Sequence, residues 1–576
     1  MDNDLNWTMR SRGTNSRSSA LSSAFTPPVK GSLAVGASET HIDFGGMSRR
    51  RCLGLIAAGS LVSVLWPGRA WAGRSAKPRE YHLCLSPEAV LSDPDLPALA
   101  ARAGVSRVWL AGFFYGHWPW PIDTLTRARE TLRLAGLETE VINVPLGHPG
   151  DSLGARDGDF PLTPPSYWRP GTSWDGKTYA GTSLHPPATQ ENVGALRRLA
   201  TMGFSQFFLD DDFRLARGPG MIGGCFCEEH RSRFLRSTGL TKGRWPELLD
   251  DVRSRRFTSL LRQWTEFTCD ELTGSFRAQY KATRGKLGIM VMYLGAEKAG
   301  LRLVDYRDVA FRVGELMFQD PSFTSAKGKT DEIFSVLFHR RFVAPERAWS
   351  ETTSYPAQAL SAANLSAKLV ISTLTDVRHT MFMSGLTPFP KARWTTLAQE
   401  MRRQARFHAQ LAGHRPRGPF KHFWGEASRY VGDDRPFSLF LAAGIPFEVT
   451  DRPAQEGWTF LSDTDAKAAS EGKLLSRGTR FVSRLTAGTT AWGLETCEET
   501  LPALFALKHR LRPTLGKVPF VENDEPAVLA WYPTARAALL WNVSTEPRSF
   551  VVRCVDHYRE VHLDGLESTV LPGLTL

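Results

Sequence analysis

The stretch Phe207-Phe208-Leu209-Asp210-Asp211-Asp212-Phe213-Arg214 joins a short apolar run to three consecutive carboxylates. Short apolar runs rich in aromatic residues are typical of buried strands. We therefore expect a strand over 205–212 with its acidic residues at the carboxyl end. Helical patterns stand on both sides of it, so this strand belongs to an alternating series of strands and helices.

The series contains eight strand–helix units. The expected strands are Tyr81–Ser86, Val105–Phe114, Thr139–Val144, Ser205–Asp212, Gly288–Leu294, Arg312–Phe318, Arg347–Glu351 and His379–Gly385. Helices with apolar residues at three- and four-residue spacing follow them, the last over 395–412. The pattern predicts an α/β fold, a TIM barrel with enlarged loops over 79–413. A doubly wound open sheet is the alternative, although it rarely reaches eight consecutive units.

The sequence pattern changes after Gly413. Short strand–helix units indicate a small α/β domain over 414–515, and four alternating strands indicate a small β-sandwich over 516–576.

The composition is that of a globular chain, with 576 residues, 42% apolar and 23% charged. The net charge of +12 comes largely from arginines spread along helices, so nucleic acid is not expected as a partner. The seven cysteines are spaced too unevenly for a disulfide scaffold.

The amino-terminal region has the pattern of an export signal. Residues 1–46 are rich in Ser, Gly and Thr and are expected to be a disordered leader. Residues 47–72 hold Ser48-Arg49-Arg50, a short apolar run and an A-x-A site, which predicts a signal peptide of the twin-arginine type. We expect a protein exported to the periplasm or outside the cell, without a stable membrane span after cleavage. An uncleaved anchor is the alternative, and Met47 is a possible true start.

Two candidate catalytic carboxylates follow the fourth and seventh strands. Crowding among Asp210, Asp211 and Asp212 should raise the pKa of at least one, as protonation of a leaving group requires. We expect Asp212 to be the acid/base, with Asp211 as the alternative. Glu351 ends the seventh strand and is expected to reach the barrel mouth as the nucleophile, as in retaining glycosidases. An N-cap cluster or a salt bridge to Arg214 is the structural alternative for the aspartates.

Further polar and aromatic side chains are expected to line the same mouth. Flat rings with polar edges suit the C–H faces of sugars, although each ring could instead be packing. The expected substrate-binding residues are Asp210, Arg214, Tyr115, Trp118, Trp120, Tyr293, Tyr355 and Trp394.

One metal site is expected near the fourth strand. Cys225, Cys227 and His230 form a C-x-C-x-x-H run, and His185 lies in the loop after the third strand. Two thiolates and two imidazoles complete a closed tetrahedral zinc site, which is structural rather than catalytic. A Cys225–Cys227 disulfide or free thiols are the alternatives. No organic cofactor is expected.

The segment from Asp210 through Cys225-Phe226-Cys227-Glu228-Glu229-His230 to Phe234 resembles the corresponding part of glycoside hydrolase family 42. The resemblance implies a barrel, an amidotransferase-like α/β domain and a small β-domain, with Glu351 at the nucleophile position and His185 at the position of a zinc cysteine. Where that family has an Asn-Glu pair, this chain has Asp211 and Asp212. The difference implies a divergent family-42-like enzyme that acts on a glycoside other than a β-galactoside.

These observations predict an exported retaining glycoside hydrolase that removes a terminal sugar from a glycoside or oligosaccharide. The alternative is a secreted, non-catalytic carbohydrate-binding or assembly protein on a degenerate barrel. A homo-oligomer is possible in either case.

Overall fold

The computed structural model describes residues 78–574, except 147–163, 183, 211–212, 217–219, 292–293, 295–296, 314–316, 451, 453, 455, 472–479 and 485–493. The predicted leader and signal peptide lie outside the described residues. None of the helices among the described residues is long and apolar enough to cross a membrane.

The first part of the described chain forms ten strands: β1 Glu80–Leu85, β2 Arg107–Phe114, β3 Glu138–Val144, β4 Pro170–Thr172, β5 Thr178–Thr182, β6 Phe207–Leu209, β7 Leu287–Val291, β8 Phe311–Val313, β9 Ala348–Thr353 and β10 His379–Met383. Eight of them form a closed parallel barrel in the order β1-β2-β3-β6-β7-β8-β9-β10, and β10 pairs back with β1. The other two, β4 and β5, form a hairpin in the loop after β3. The predicted TIM barrel is confirmed.

Helices connect the barrel strands and cover the outside of the barrel: α1 Pro87–Ser92, α2 Leu96–Ala103, α3 Ile122–Leu134, α4 Ala188–Thr201, α5 Glu228–Thr238, α6 Arg244–Arg253, α7 Ser259–Ala282, α8 Asp320–Phe323, α9 Ala326–His339, α10 Ala362–Leu374 and α11 Arg393–Leu411. Their apolar faces pack on the outward side chains of the strands, as in α10, where Leu365, Leu369 and Leu374 are buried. This arrangement leaves the inward side chains and the loops after the strands to form any site.

An aromatic layer fills the barrel lumen. Trp109, Phe208 and Trp349 come from β2, β6 and β9, and their ring centroids are 4.9 to 5.5 Å apart. His82 of β1 packs against Trp349 with a centroid distance of 4.4 Å. Because side chains alternate along a strand, the inward residues two positions further on stand above this layer, and those two positions earlier stand below it.

The remainder of the chain forms the two smaller parts. A five-stranded parallel sheet has the order β12-β11-β13-β14-β15, with strands β11 Phe420–Phe423, β12 Phe447–Thr450, β13 Trp458–Leu461, β14 Arg480–Ser483 and β15 Leu494–Thr496. Its helices are α12 Glu426–Val431, α13 Asp463–Ser470 and α14 Leu501–Leu511. The short strand–helix units of the sequence correspond to this sheet.

Two three-stranded sheets end the chain. Their strands are β16 Phe520–Val521, β17 Ala527–Tyr532, β18 Ala537–Asn542, β19 Arg548–Cys554, β20 His557–Leu563 and β21 Ser568–Pro572. The sheets have the orders β16-β19-β20 and β17-β18-β21. Leu529 and Leu540 of one sheet share a buried cluster with Phe550 and Val552 of the other, as expected of a small sandwich.

Several barrel strands differ in extent from the sequence-based expectation. The fourth, β6, ends at Leu209 and therefore earlier than predicted. Met317 and Phe318, predicted at the end of the sixth strand, lie outside β8. The seventh, β9, runs to Thr353, because the β-branched Thr352 and Thr353 continue to pair with β10. The expectation that this strand ends at Glu351 is therefore wrong.

Candidate active site in the barrel lumen

A buried cation and two buried carboxylates meet above the aromatic layer. Asp210 directly follows β6, Arg312 lies on β8 and Glu351 lies on β9. Arg312 Nη2 donates to Asp210 Oδ1 and stands 3.4 Å from Glu351 Oε2. All three side chains are at most 4% exposed. One guanidinium nitrogen therefore serves two carboxylates from different strands.

The positive charge of Arg312 and the negative charges of Asp210 and Glu351 stabilise one another. Burial lowers the pKa of Arg312, but the carboxylates of Asp210 and Glu351 outweigh that effect and raise the pKa well above its usual value. An unpaired charge at such a depth would cost several kcal/mol, of which pairing restores much. Arg312 Nη1 and Nη2 also contact the thioethers of Met381 and Met290, at 3.1 and 2.7 Å. The guanidinium is thus fixed from several sides.

Glu351 lies inside strand β9 and not at its end. Its side chain points into the lumen two residues beyond Trp349, where Thr353 Oγ1 donates to Glu351 Oε1 at 2.5 Å. The carboxylate therefore has one hydroxyl donor and one guanidinium donor, and both favour its ionised form. The sequence-based placement at the barrel mouth needs correction, since Glu351 stands within the lumen and is 3% exposed.

The other predicted catalytic residues, Asp211 and Asp212, lie outside the described residues, and so does Tyr293. Asp210, predicted as a substrate contact, pairs with Arg312, and its backbone N–H donates to the Asn143 carbonyl at 2.7 Å. Arg214 is buried at 9% exposure in the loop that follows.

The predicted aromatic contacts fall into two groups. Tyr115 and Trp394 are at most 1% exposed, and Trp394 packs on α11 against Phe382 and Phe389. This placement favours core packing for both. The second group is partly exposed: Trp118, Trp120 and Tyr355. Trp118 lies under Arg198 at 5.4 Å, and the Trp120 indole N–H lies 3.5 Å from Glu88.

The four predicted metal ligands lie together. His185 follows the β4–β5 hairpin, Cys225 and Cys227 precede α5, and His230 is in its first turn. Cys227 Sγ is 3.4 Å from His185 Nε2 and 3.2 Å from His230 Nδ1, while Cys225 Sγ is 3.9 Å from His185 Nε2. Ligands of a tetrahedral zinc ion with ordinary Zn–S and Zn–N bonds stand roughly 3.6 Å apart. The residues therefore fit a zinc ion.

The charge states of these ligands suit metal binding. Burial lowers the pKa of His185 and of His230 to about 4, so both imidazoles are neutral at pH 7. Burial raises the pKa of the Cys225 thiol to about 11, so binding of a metal would release its proton. Both cysteines are free thiols, against the disulfide alternative. Arg169 contacts His185 and Glu229 and lies 3.6 Å from Cys227 Sγ.

No family model and no curated protein matches the sequence. Solved structures do match in fold. The β-galactosidase from Rahnella sp. R3 is 10% identical with a TM-score of 0.56, over 86% of this chain and 98% of that chain. Gan42B, a GH42 β-galactosidase from G. stearothermophilus, has 10% identity and a TM-score of 0.55 over the same shares. The β-galactosidase from Bacillus circulans sp. alkalophilus has 8% identity and a TM-score of 0.55. At such low identity these matches show the fold.

Sequence reasoning missed Arg312 as part of the site. It appears in the run Val309-Ala310-Phe311-Arg312-Val313, where an arginine interrupts an apolar strand. A charge at a buried strand position needs a partner, and that was the available signal. The partners themselves follow only from the closure of the barrel.

Proposed function

We propose that this chain is an exported retaining glycoside hydrolase that removes a terminal sugar from a glycoside or oligosaccharide. The observation that carries the proposal is the position of Glu351. It is a carboxylate in the lumen of a TIM barrel, on the seventh strand, with Thr353 and Arg312 as hydrogen-bond donors. The fold shared with β-galactosidases supports the same class of reaction.

In the proposed reaction Glu351 attacks the anomeric carbon and forms a covalent glycosyl-enzyme. Its ionised form is the nucleophilic one, and the guanidinium and hydroxyl donors keep it so. A second carboxylic acid must protonate the leaving oxygen and later activate water. Asp212 is the candidate for that role and Asp211 its alternative, on the sequence-based grounds given above. Asp210 is already paired with Arg312, which makes it unsuitable as the proton donor.

We further propose that His185, Cys225, Cys227 and His230 hold one structural zinc. When bound, zinc would tie the β4–β5 hairpin region to the start of α5, next to the loop that follows β6. The ion would therefore act on stability and on the order of this loop, and it takes no part in the reaction.

One observation favours a different function, a non-catalytic carbohydrate-binding protein. Glu351 is 3% exposed and both of its oxygens already have donors, a state that a purely structural ion pair would also show.

A panel of aryl glycosides separates the two functions. The enzyme should hydrolyse at least one member, and Glu351→Gln should lower that rate by several orders of magnitude. If no aryl glycoside is hydrolysed while the folded chain binds oligosaccharides, the binding function is the better account.

A further inference from the structure

A second cluster of metal-binding side chains lies at the opposite, amino-terminal end of the barrel. Glu80 and His82 are two residues apart on β1, so their side chains point to the same side. His379 begins β10, and in the strand register it is paired with Glu80. Since β1 and β10 are the first and last strands of the barrel, this cluster sits on the seam where the barrel closes.

The donor atoms are close enough to share one ion. Glu80 Oε2 lies 3.4 Å from His379 Nδ1 and 3.6 Å from His82 Nε2. One ligand atom from each of the three residues lies within 4.8 Å of the others. Nitrogen and oxygen ligands around a tetrahedral zinc ion stand roughly 3.3 Å apart, so only small movements separate these side chains from a coordination shell.

Both imidazoles present a buried nitrogen without a hydrogen-bond partner among the described residues, namely His82 Nε2 and His379 Nδ1. The other nitrogen of His379, Nε2, is 3.2 Å from the Glu346 carbonyl and donates to it. With Nε2 turned to this carbonyl, Nδ1 is the ring nitrogen that faces the Glu80 carboxylate, at 3.4 Å. A backbone carbonyl behind a histidine is also the usual support for a metal ligand.

His82 must change its tautomer before it can bind a metal through Nε2. The Trp109 indole N–H donates to His82 Nδ1 at 3.3 Å, which leaves the proton of the neutral ring on Nε2. Ligation through Nε2 moves this proton to Nδ1 and ends one long hydrogen bond.

The surroundings leave room for an ion and restrain its ligands. Glu80 and His379 line a cavity of about 540 Å³ at this end of the barrel. Trp349 stacks on His379 with a centroid distance of 4.2 Å and fixes the plane of the ring. Two of the nearby cations are already paired, Arg107 with Glu138 and Arg378 with Glu346. Their charge is therefore partly neutralised before a metal arrives.

We propose that Glu80, His82 and His379 bind one divalent ion of the zinc class, which ties β1 to β10 at the amino-terminal end of the barrel. Two imidazoles and one carboxylate suit zinc and its neighbours better than calcium or magnesium, which prefer oxygen ligands. The site is independent of the proposed function, because the aromatic layer separates it from Glu351.

Co²⁺ distinguishes this site from the proposed zinc site that contains Cys225 and Cys227. The chain is purified, stripped with a chelator and titrated with Co²⁺. A site with thiolates gives a strong near-ultraviolet charge-transfer band, and a site of imidazole and carboxylate gives only weak visible bands. Wild type should bind two ions and show both features. Cys225→Ser combined with Cys227→Ser should bind one ion and keep only the weak bands.

In that double-serine background, His379→Asn and Glu80→Gln should each weaken Co²⁺ binding by at least the roughly 10- to 100-fold that loss of a supporting group costs. Glu80 is 40% exposed at its side chain, so Glu80→Gln tests the proposal even if the histidine variant fails to fold. His557→Asn, at an exposed histidine of the carboxyl-terminal part, should bind as the background does. The proposal is overturned if the background binds no Co²⁺, or if Glu80→Gln binds it as tightly as the background.

Discussion

Arg312 and Glu351 lie on adjacent barrel strands, and the guanidinium Nη2 of the first is 3.4 Å from the carboxylate Oε2 of the second. The same nitrogen bonds Asp210. The proposed nucleophile is therefore part of a buried three-residue charge network, and Arg312 together with Thr353 holds its carboxylate in place.

Arg312→Met is expected to damage both stability and activity. Without the guanidinium two buried carboxylates face each other, which should lower the free energy of unfolding by about 3–5 kcal/mol. The acidic limb of the kcat/KM profile should also move to higher pH, because Glu351 ionises less readily without the cation. Denaturant unfolding and pH–rate profiles measure the two effects.

The matched control is Arg312→Met combined with Asp210→Asn. Removal of one carboxylate charge should restore part of the lost stability but not the activity. Stability and activity close to wild type in the single variant would show that the network has no such role.

The acid/base assignment predicts a dependence on the leaving group. Asp212→Asn should slow hydrolysis most for aryl glycosides with poor leaving groups, because good leaving groups need little protonation. Asp211→Asn is the matched variant. If Asp211→Asn shows this dependence and Asp212→Asn does not, the roles are exchanged, and if neither shows it, the acid lies elsewhere.

Replacement of one zinc-binding cysteine should lower the zinc content and the thermal stability of the protein more than it lowers kcat. Cys227→Ser is expected to lose one zinc per chain and to unfold at a lower temperature, while the folded fraction keeps its kcat, because the ion is structural. Metal analysis and thermal unfolding measure this. A Cys225–Cys227 disulfide in the purified protein, with no zinc bound, would contradict the prediction.

Because Lys329 is buried, the free energy of unfolding should depend on pH. Burial lowers the pKa of Lys329 to about 8, whereas in the unfolded chain it is that of an ordinary lysine. At pH 7 the lysine is charged in both states and its burial cost is fully present. Between about pH 8 and 10.5 the folded state releases its proton first, so this cost fades as pH rises.

Lys329→Met should therefore raise the free energy of unfolding at pH 7 by about 1–3 kcal/mol, and the gain should vanish near pH 10.5. The control is Lys327→Met, since Lys327 is paired with Asp331 and is 35% exposed. Urea unfolding at several pH values tests this, and a gain that does not change with pH would exclude the explanation.

Export gives a further prediction. Replacement of both Arg49 and Arg50 by Lys should leave the precursor inside the cell, because the twin-arginine pair is the expected export signal. Fractionation of the producing cells measures the distribution. Unchanged export would indicate the general secretory route.

The barrel was predictable because its signal is repeated: eight apolar runs alternate with amphipathic helices, and small errors in strand ends do not change the topology. The four candidate metal ligands were also predicted from residue type and spacing, and the structure brings them together. Glu351 was predicted on the seventh strand, where it lies. The Arg312 network was not, because Asp210, Arg312 and Glu351 are far apart in sequence and meet only when the barrel closes. The same holds for Glu80 and His379, which are neighbours through the register of β1 and β10 alone.

As the proposed nucleophile, Glu351 should form a covalent bond to the sugar. This bond can be trapped with a 2-deoxy-2-fluoro glycoside that has a good leaving group and is matched to the best aryl substrate, followed by mass analysis of the intact chain and its peptides. We expect one added sugar per chain on the peptide that contains Glu351, and no label in Glu351→Gln. A label on another residue, or turnover with inversion at the anomeric carbon and no label, would contradict this assignment.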